Sequence, residues 1–210
     1  MKNITIITSL IINSIVFVVT TGIVISYFCG NTGTLIEYGY QSFKFFTTDS
    51  NILAAIASLF MVISEVMILT KKRDNIPYWV LVLKYVGTSA VMLTFTVVIG
   101  FLAPIYGPAA VLTDTSFHTH AAAPLFSLIS FCFIESEYRL PFRCTLLGII
   151  PMLIYSVIYT INVVFTNVWN DFYSFNMGGY WYISAPIIII AAYIISVIIL
   201  LLHNRMCKKT

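Results

Sequence analysis

Charged residues are scarce in this chain: Asp, Glu, Lys and Arg make up 9% of its 210 residues, whereas 60% are hydrophobic. The polar stretches between its hydrophobic runs are short, which excludes a separate soluble domain. The net charge of +3 is small and reflects membrane topology, so it does not indicate nucleic-acid binding. Low-complexity tracts and clear internal repeats are also lacking, so the sequence predicts a single domain over residues 1–210.

What the chain has in quantity is long hydrophobic runs, and about 20 apolar residues are enough for a helix to cross a bilayer. The first run is too long for the core of a signal peptide. The sequence therefore predicts an all-α polytopic membrane protein, a bundle of six transmembrane helices. Their predicted ranges are 4–29, 43–69, 79–102, 116–134, 144–165 and 181–203.

The basic residues predict the orientation of this bundle. Nine of the eleven lie at the N-terminus, in the second and fourth connections or at the C-terminus, which share one side of a six-span protein. Because cytoplasmic connections are enriched in Lys and Arg, both termini are predicted to be cytoplasmic. Only Cys29 of the four cysteines then lies near the outer face, so no external disulfide is expected. No cysteine or histidine spacing indicates a metal, and no cofactor is expected.

Two polar clusters, residues 45–51 and 114–120, begin the second and fourth runs at the outer face. Helical periodicity places Thr47, Ser50 and Asn51 on one face of the second run. A stripe of small and polar residues usually faces other helices, so these side chains are predicted to point inward. Such residues most often serve as interhelical hydrogen-bond partners, and that structural interpretation stays open.

In the fourth run, periodicity places His120 on the same face as Ser127, and we expect this face to point into the bundle. His118 lies on another face, where Asp114 is one turn away and nearer the surface. An ionisable residue within a membrane span indicates function by default. Tyr159 and Asn162, on a polar face of the fifth run, complete the candidates for a site near the outer leaflet.

Three short motifs resemble the androgen-induced and androgen-dependent family of membrane threonine hydrolases, and especially its bacterial six-span relatives. They are Phe45-Phe46-Thr47-x-x-Ser50-Asn51, His120-Ala-Ala-Ala-Pro124 and, more weakly, Pro151-Met-Leu-Ile-Tyr155. The resemblance implies a membrane-embedded hydrolase of fatty-acyl esters, in a bacterial plasma membrane. Carried over by position, Thr47 is the nucleophile and His120 its general base. The motif and the polar stripe both favour Thr47 over Thr48.

The residues themselves are consistent with this pairing, since a threonine hydroxyl needs an adjacent base to attack an ester. Neutral histidine suits that role near neutral pH. Asn51 is predicted to donate to the developing oxyanion, with Tyr159 or Asn162 as alternatives. The partners are then the bilayer and a lipid-like ester, while the oligomeric state stays open. The alternative functions are a transporter or binding protein for a small amphiphile, using the same cluster, and a purely structural protein.

One further prediction concerns the cytoplasmic end of the bundle. Glu65 and Lys84 lie at similar depths in the second and third runs, which a short connection makes antiparallel neighbours. Each charge alone is costly inside a membrane. We therefore expect a structural Glu65–Lys84 ion pair, the alternative being that each side chain extends separately to water.

Overall fold

The computed structural model describes residues 2–29 and 39–207. It contains six helices that are long and apolar enough to cross a bilayer, which we number span 1 to span 6. Their bounds are Asn3–Phe28, Phe46–Leu69, Tyr78–Tyr106, Thr115–Ile134, Phe142–Phe165 and Trp181–Met206. No strand occurs within the described ranges. The predicted all-α bundle is confirmed, and the chain is an integral membrane protein.

Span 3 is the central helix, because it packs against spans 2, 4, 5 and 6. In the most apolar stretch of span 3, 56% of the residues are buried, whereas in that of span 6 only 22% are buried. Exposed isoleucines cover span 6, among them Ile187, Ile190, Ile194 and Ile198. An apolar surface of this kind suits contact with lipid.

Spans 2 and 3 approach each other closely because small residues lie between them. A Cβ atom added to Gly87 would lie 3.2 Å from the Cα of Ala54 and 3.3 Å from the Cβ of Ala57. Ser50, Asn51, Ser58 and Glu65 of span 2 are buried on the same side. The predicted inward stripe is thus present, and the close approach is the packing typical of membrane helices.

Two π-helical segments lie within spans 3 and 4, Val98–Leu102 and His118–Ala122, and two more form the ends of spans 4 and 5, Ser130–Ile134 and Ile161–Phe165. Each π turn adds a residue and so rotates the faces of the helix beyond it relative to a regular α-helix. The second segment includes both histidines of the 114–120 cluster. Such segments are frequent at functional sites, which directs attention to this end of span 4.

Candidate functional site

Thr47 lies in the wall of a cavity of about 460 Å³ at the end of the bundle where span 2 begins. Spans 2, 3, 5 and 6 form the cavity together with the segment that connects spans 5 and 6. Its volume falls within the range of about 300–1,000 Å³ typical of small-molecule sites. Most of the wall is apolar, and its polar groups include Thr47, Thr94 and the hydroxyls of Tyr155, Tyr159 and Tyr173.

Asp171 holds the connecting segment in place as a wall of this cavity. One of its carboxylate oxygens accepts hydrogen bonds from the Phe175 N–H at 2.8 Å and from the Tyr159 hydroxyl at 3.2 Å. The other accepts from the Asn176 N–H at 2.8 Å. The Tyr159 hydroxyl also accepts from the Tyr173 N–H at 3.4 Å. Tyr159, predicted to support the site, therefore fixes a wall of the cavity.

Tyr173 lies beside Thr47 and Tyr155 in the wall of the cavity. Burial raises the pKa of Tyr173 to about 12, although the Tyr155 hydroxyl, the Phe46 backbone and the Thr47 hydroxyl partly offset the shift. At neutral pH the phenol therefore stays protonated and is a hydrogen-bond donor. Sequence reasoning missed this contact, because an aromatic residue in a connecting segment is also what a membrane interface favours.

Asn51 joins the two polar motifs. Its side-chain amide donates to the Thr47 carbonyl at 2.8 Å and to the Thr119 carbonyl at 2.9 Å. An amide nitrogen has two hydrogens, so both are committed to these backbone groups. The predicted role of Asn51 as an oxyanion donor is therefore corrected to one of positioning, in which it holds the start of span 2 against the His118–Ala122 segment.

His120 is buried, with 7% of its surface exposed, as the face analysis predicts. Its Nδ1 atom lies 2.6 Å from the carbonyl oxygen of Val111, in the short helix Pro108–Val111. Because a carbonyl only accepts, Nδ1 carries the hydrogen, and a neutral ring then has its lone pair on Nε2. Over the described ranges, no hydrogen bond joins this ring to the Thr47 hydroxyl, and His120 is not part of the cavity wall.

His118 has a different environment. Its Nε2 atom lies 3.1 Å from the Thr20 hydroxyl of span 1. The side chain of Asp114, the other candidate partner, lies outside the part of the chain that the structure describes. His118 therefore links spans 1 and 4, and nothing in its contacts places it at the cavity.

The remaining predicted site residues, Ser50, Asn162 and Ser127, have no hydrogen bond to the Thr47 hydroxyl within the described ranges. Ser50 shares a hydrogen bond of 2.8 Å with Thr94 and so links spans 2 and 3. Asn162 donates to the Ile158 carbonyl at 2.8 Å within span 5, away from the cavity. The Ser127 hydroxyl is buried and has no hydrogen-bond partner in the described structure. None of the three is positioned as an oxyanion donor.

The predicted ion pair has a different arrangement from the direct contact that we expected. Glu65 and Lys84 are both 1% exposed and interact electrostatically. The Lys84 ammonium, however, donates to Asn13 at 2.6 Å and to Ser58 at 3.2 Å. Neither Glu65 oxygen has a hydrogen-bond partner within the described ranges. Asn13 of span 1 takes the position beside Lys84 that the prediction gave to Glu65.

Among the described residues, no group of three or more His, Cys, Asp or Glu side chains is arranged to hold a metal ion. Comparison of the chain with protein-family models, with curated proteins and with solved structures gave no match in any of the three.

Proposed function

We propose that this protein is a membrane-embedded hydrolase of fatty-acyl esters, with Thr47 as nucleophile and His120 as general base. The observation that carries the proposal is the Thr47 hydroxyl in the wall of a mostly apolar 460 Å³ cavity, beside a protonated tyrosine. An acyl chain suits the apolar wall, while the ester group suits the hydroxyl groups. The resemblance to the bacterial branch supports a bacterial plasma membrane, and the distribution of basic residues supports a cavity towards the outer leaflet.

The proposed reaction begins when His120 Nε2 takes the hydroxyl proton of Thr47 as its oxygen attacks the ester carbonyl carbon. The tetrahedral intermediate expels the alcohol, which leaves with that proton, and an acyl-threonine remains. Water then attacks the acyl group, again with His120 as base, and releases the fatty acid. This route requires Nε2 to come within hydrogen-bond reach of Thr47 once substrate is bound, since catalytic contacts often tighten only in that complex.

Tyr173 takes the oxyanion role that Asn51 has no free hydrogen to fill. Its phenol is protonated at neutral pH and lies beside the Thr47 hydroxyl. We expect Tyr173→Phe to lower kcat by about 10²–10³-fold, the usual cost of losing one such donor. The ring stays in place in this variant, so the cavity is preserved. Tyr159→Phe, which loses the bond to Asp171, is the control for a wall effect, and an equal loss in both variants would contradict the assignment.

The pH profile tests the base. Only the neutral imidazole ring accepts a proton. The rate of hydrolysis should therefore fall as the pH drops below about 6.5, the ordinary pKa of histidine. The profile is measured between pH 5 and 8 with a fluorogenic fatty-acyl ester in proteoliposomes. A His118→Gln variant keeps this profile if His120 is the base. A flat profile in the unsubstituted protein would argue against a histidine base.

The second candidate is a binding or transport protein for a small amphiphile, favoured by the absence of His120 from the cavity wall. One experiment separates the two candidates. Purified protein is incubated with an excess of a fatty-acyl ester, and both bound ester and released fatty acid are measured. Release that exceeds the amount of protein many-fold supports hydrolysis, whereas stoichiometric binding of intact ester without release supports the binding protein.

A further inference from the structure

A second polar site lies at the end of the bundle opposite Thr47, and we call it the charged cluster. It contains three ionisable side chains, and each is at most 3% exposed. Spans 1, 2 and 3 contribute to it, as does the residue that directly follows span 4. Its members are Ser9, Asn13, Ser58, Glu65, Lys84 and Glu135.

Hydrogen bonds connect one carboxylate of the charged cluster to its lysine. Asn13 accepts from the Lys84 ammonium at 2.6 Å and donates through its amide to Glu135 at 2.8 Å. Ser9 donates to the same Glu135 oxygen at 3.1 Å. Two donors on one oxygen stabilise an ionised carboxylate. Glu135 is therefore the anion that balances Lys84, with Asn13 between them.

Glu65 lacks this support. It is 1% exposed, and neither of its oxygens has a hydrogen-bond partner in the described part of the chain. The second Glu135 oxygen is also without a partner there. With both carboxyls ionised, the cluster would carry one uncompensated negative charge, which is costly in a dry interior. A single proton makes it neutral.

We propose that the charged cluster is an intramembrane proton-binding site that holds one exchangeable proton on Glu65. Protonation gives Glu65 a hydroxyl that can donate to Ser9, which lies beside it and already donates to Glu135. In this protonated state Ser9 links the two carboxyls, and Glu135 lies just beyond the end of span 4. Among the described residues, the other ionisable groups facing the cluster are Lys84 and Cys132, while span 1 contributes uncharged Ser9 and Asn13.

The proton is detectable by infrared spectroscopy, because a protonated carboxyl group has its own C=O stretching band. We expect purified protein at pH 7 to show this band and to show its shift when glutamate is labelled with carbon-13, which separates it from aspartate. Glu65→Gln should remove the band, while Glu137→Gln, at an exposed glutamate two residues beyond Glu135, should keep it.

The spectrum of the unsubstituted protein already tests the proposal, so the test does not depend on whether the Glu65→Gln variant folds. The spectrum is recorded at pH 7 in sodium buffer and in potassium buffer. Absence of a protonated glutamate band in both would overturn the proposal. So would a band that persists in folded Glu65→Gln. The proposal is independent of the ester hydrolase, because neither the band nor its loss requires activity at Thr47.

Discussion

Thr47→Ala is expected to abolish labelling by a lipophilic fluorophosphonate and to lower kcat/KM for ester hydrolysis by at least about a thousandfold. Losses of this size follow when a covalent nucleophile is removed, because the remaining groups supply only binding and electrostatic stabilisation. Thr47 is partly exposed to the cavity, and its side chain is small. Its removal should therefore leave the fold intact.

Two threonines serve as matched controls for this substitution. Thr48 is the neighbouring residue but is buried and is not part of the cavity wall. Thr96 lies in the wall, and its hydroxyl donates to the Met92 carbonyl at 2.8 Å. Thr48→Ala and Thr96→Ala should both retain labelling. Labelling that survives in Thr47→Ala, or that is lost only in Thr48→Ala, would show that Thr47 is not the nucleophile.

Lys84→Met is expected to destabilise the protein by about 3–5 kcal/mol, the usual result of removing one partner of a buried charge pair. The ammonium is 1% exposed and donates to Asn13, which in turn contacts Glu135. Its removal leaves the Glu135 carboxylate without a counter-charge. Combining Lys84→Met with Glu135→Gln should recover much of this loss, because no charge then remains unpaired at that position.

Unfolding in detergent, followed for the single and double variants, measures this coupling. The matched control is the cycle of Lys84→Met with Glu65→Gln, in which we expect much weaker coupling, since Glu65 has no hydrogen bond within the described ranges. Equal coupling in the two cycles would contradict the bridging role of Asn13. Stronger coupling of Lys84 to Glu65 than to Glu135 would support the direct Glu65–Lys84 ion pair predicted from the sequence.

The six spans follow from the sequence because length and hydropathy are local properties. Span 2 was predicted over 43–69 and is Phe46–Leu69, and span 4 was predicted over 116–134 and is Thr115–Ile134. The inward stripe of span 2 is equally local, since α-helical periodicity fixes which side chains share a face. Periodicity therefore indicated correctly that Asn51 and His120 are buried.

The contacts of each buried side chain could not be predicted in the same way, because they depend on distant parts of the chain. Asn51 donates a hydrogen bond to the carbonyl of Thr119, 68 residues away. Asn13, 71 residues from Lys84, replaces Glu65 as its partner. The π-helical segments add to the difficulty, since the faces beyond them are rotated from their α-helical positions. Tyr173 was missed because it reaches the cavity only when the connecting segment folds back.

That folded segment also bears on how a ligand reaches Thr47. Tyr173 and Phe175 of the segment form one wall of the cavity, while Phe101 of span 3 and Ile187 of span 6, both exposed on the outside of the bundle, form another. A ligand would therefore enter the cavity laterally from the acyl-chain region of the bilayer, between spans 3 and 6. The reaction rate would then depend on the mole fraction of ester in the bilayer. Dilution of the same ester with inert phospholipid should slow turnover even when its total amount in the suspension is unchanged.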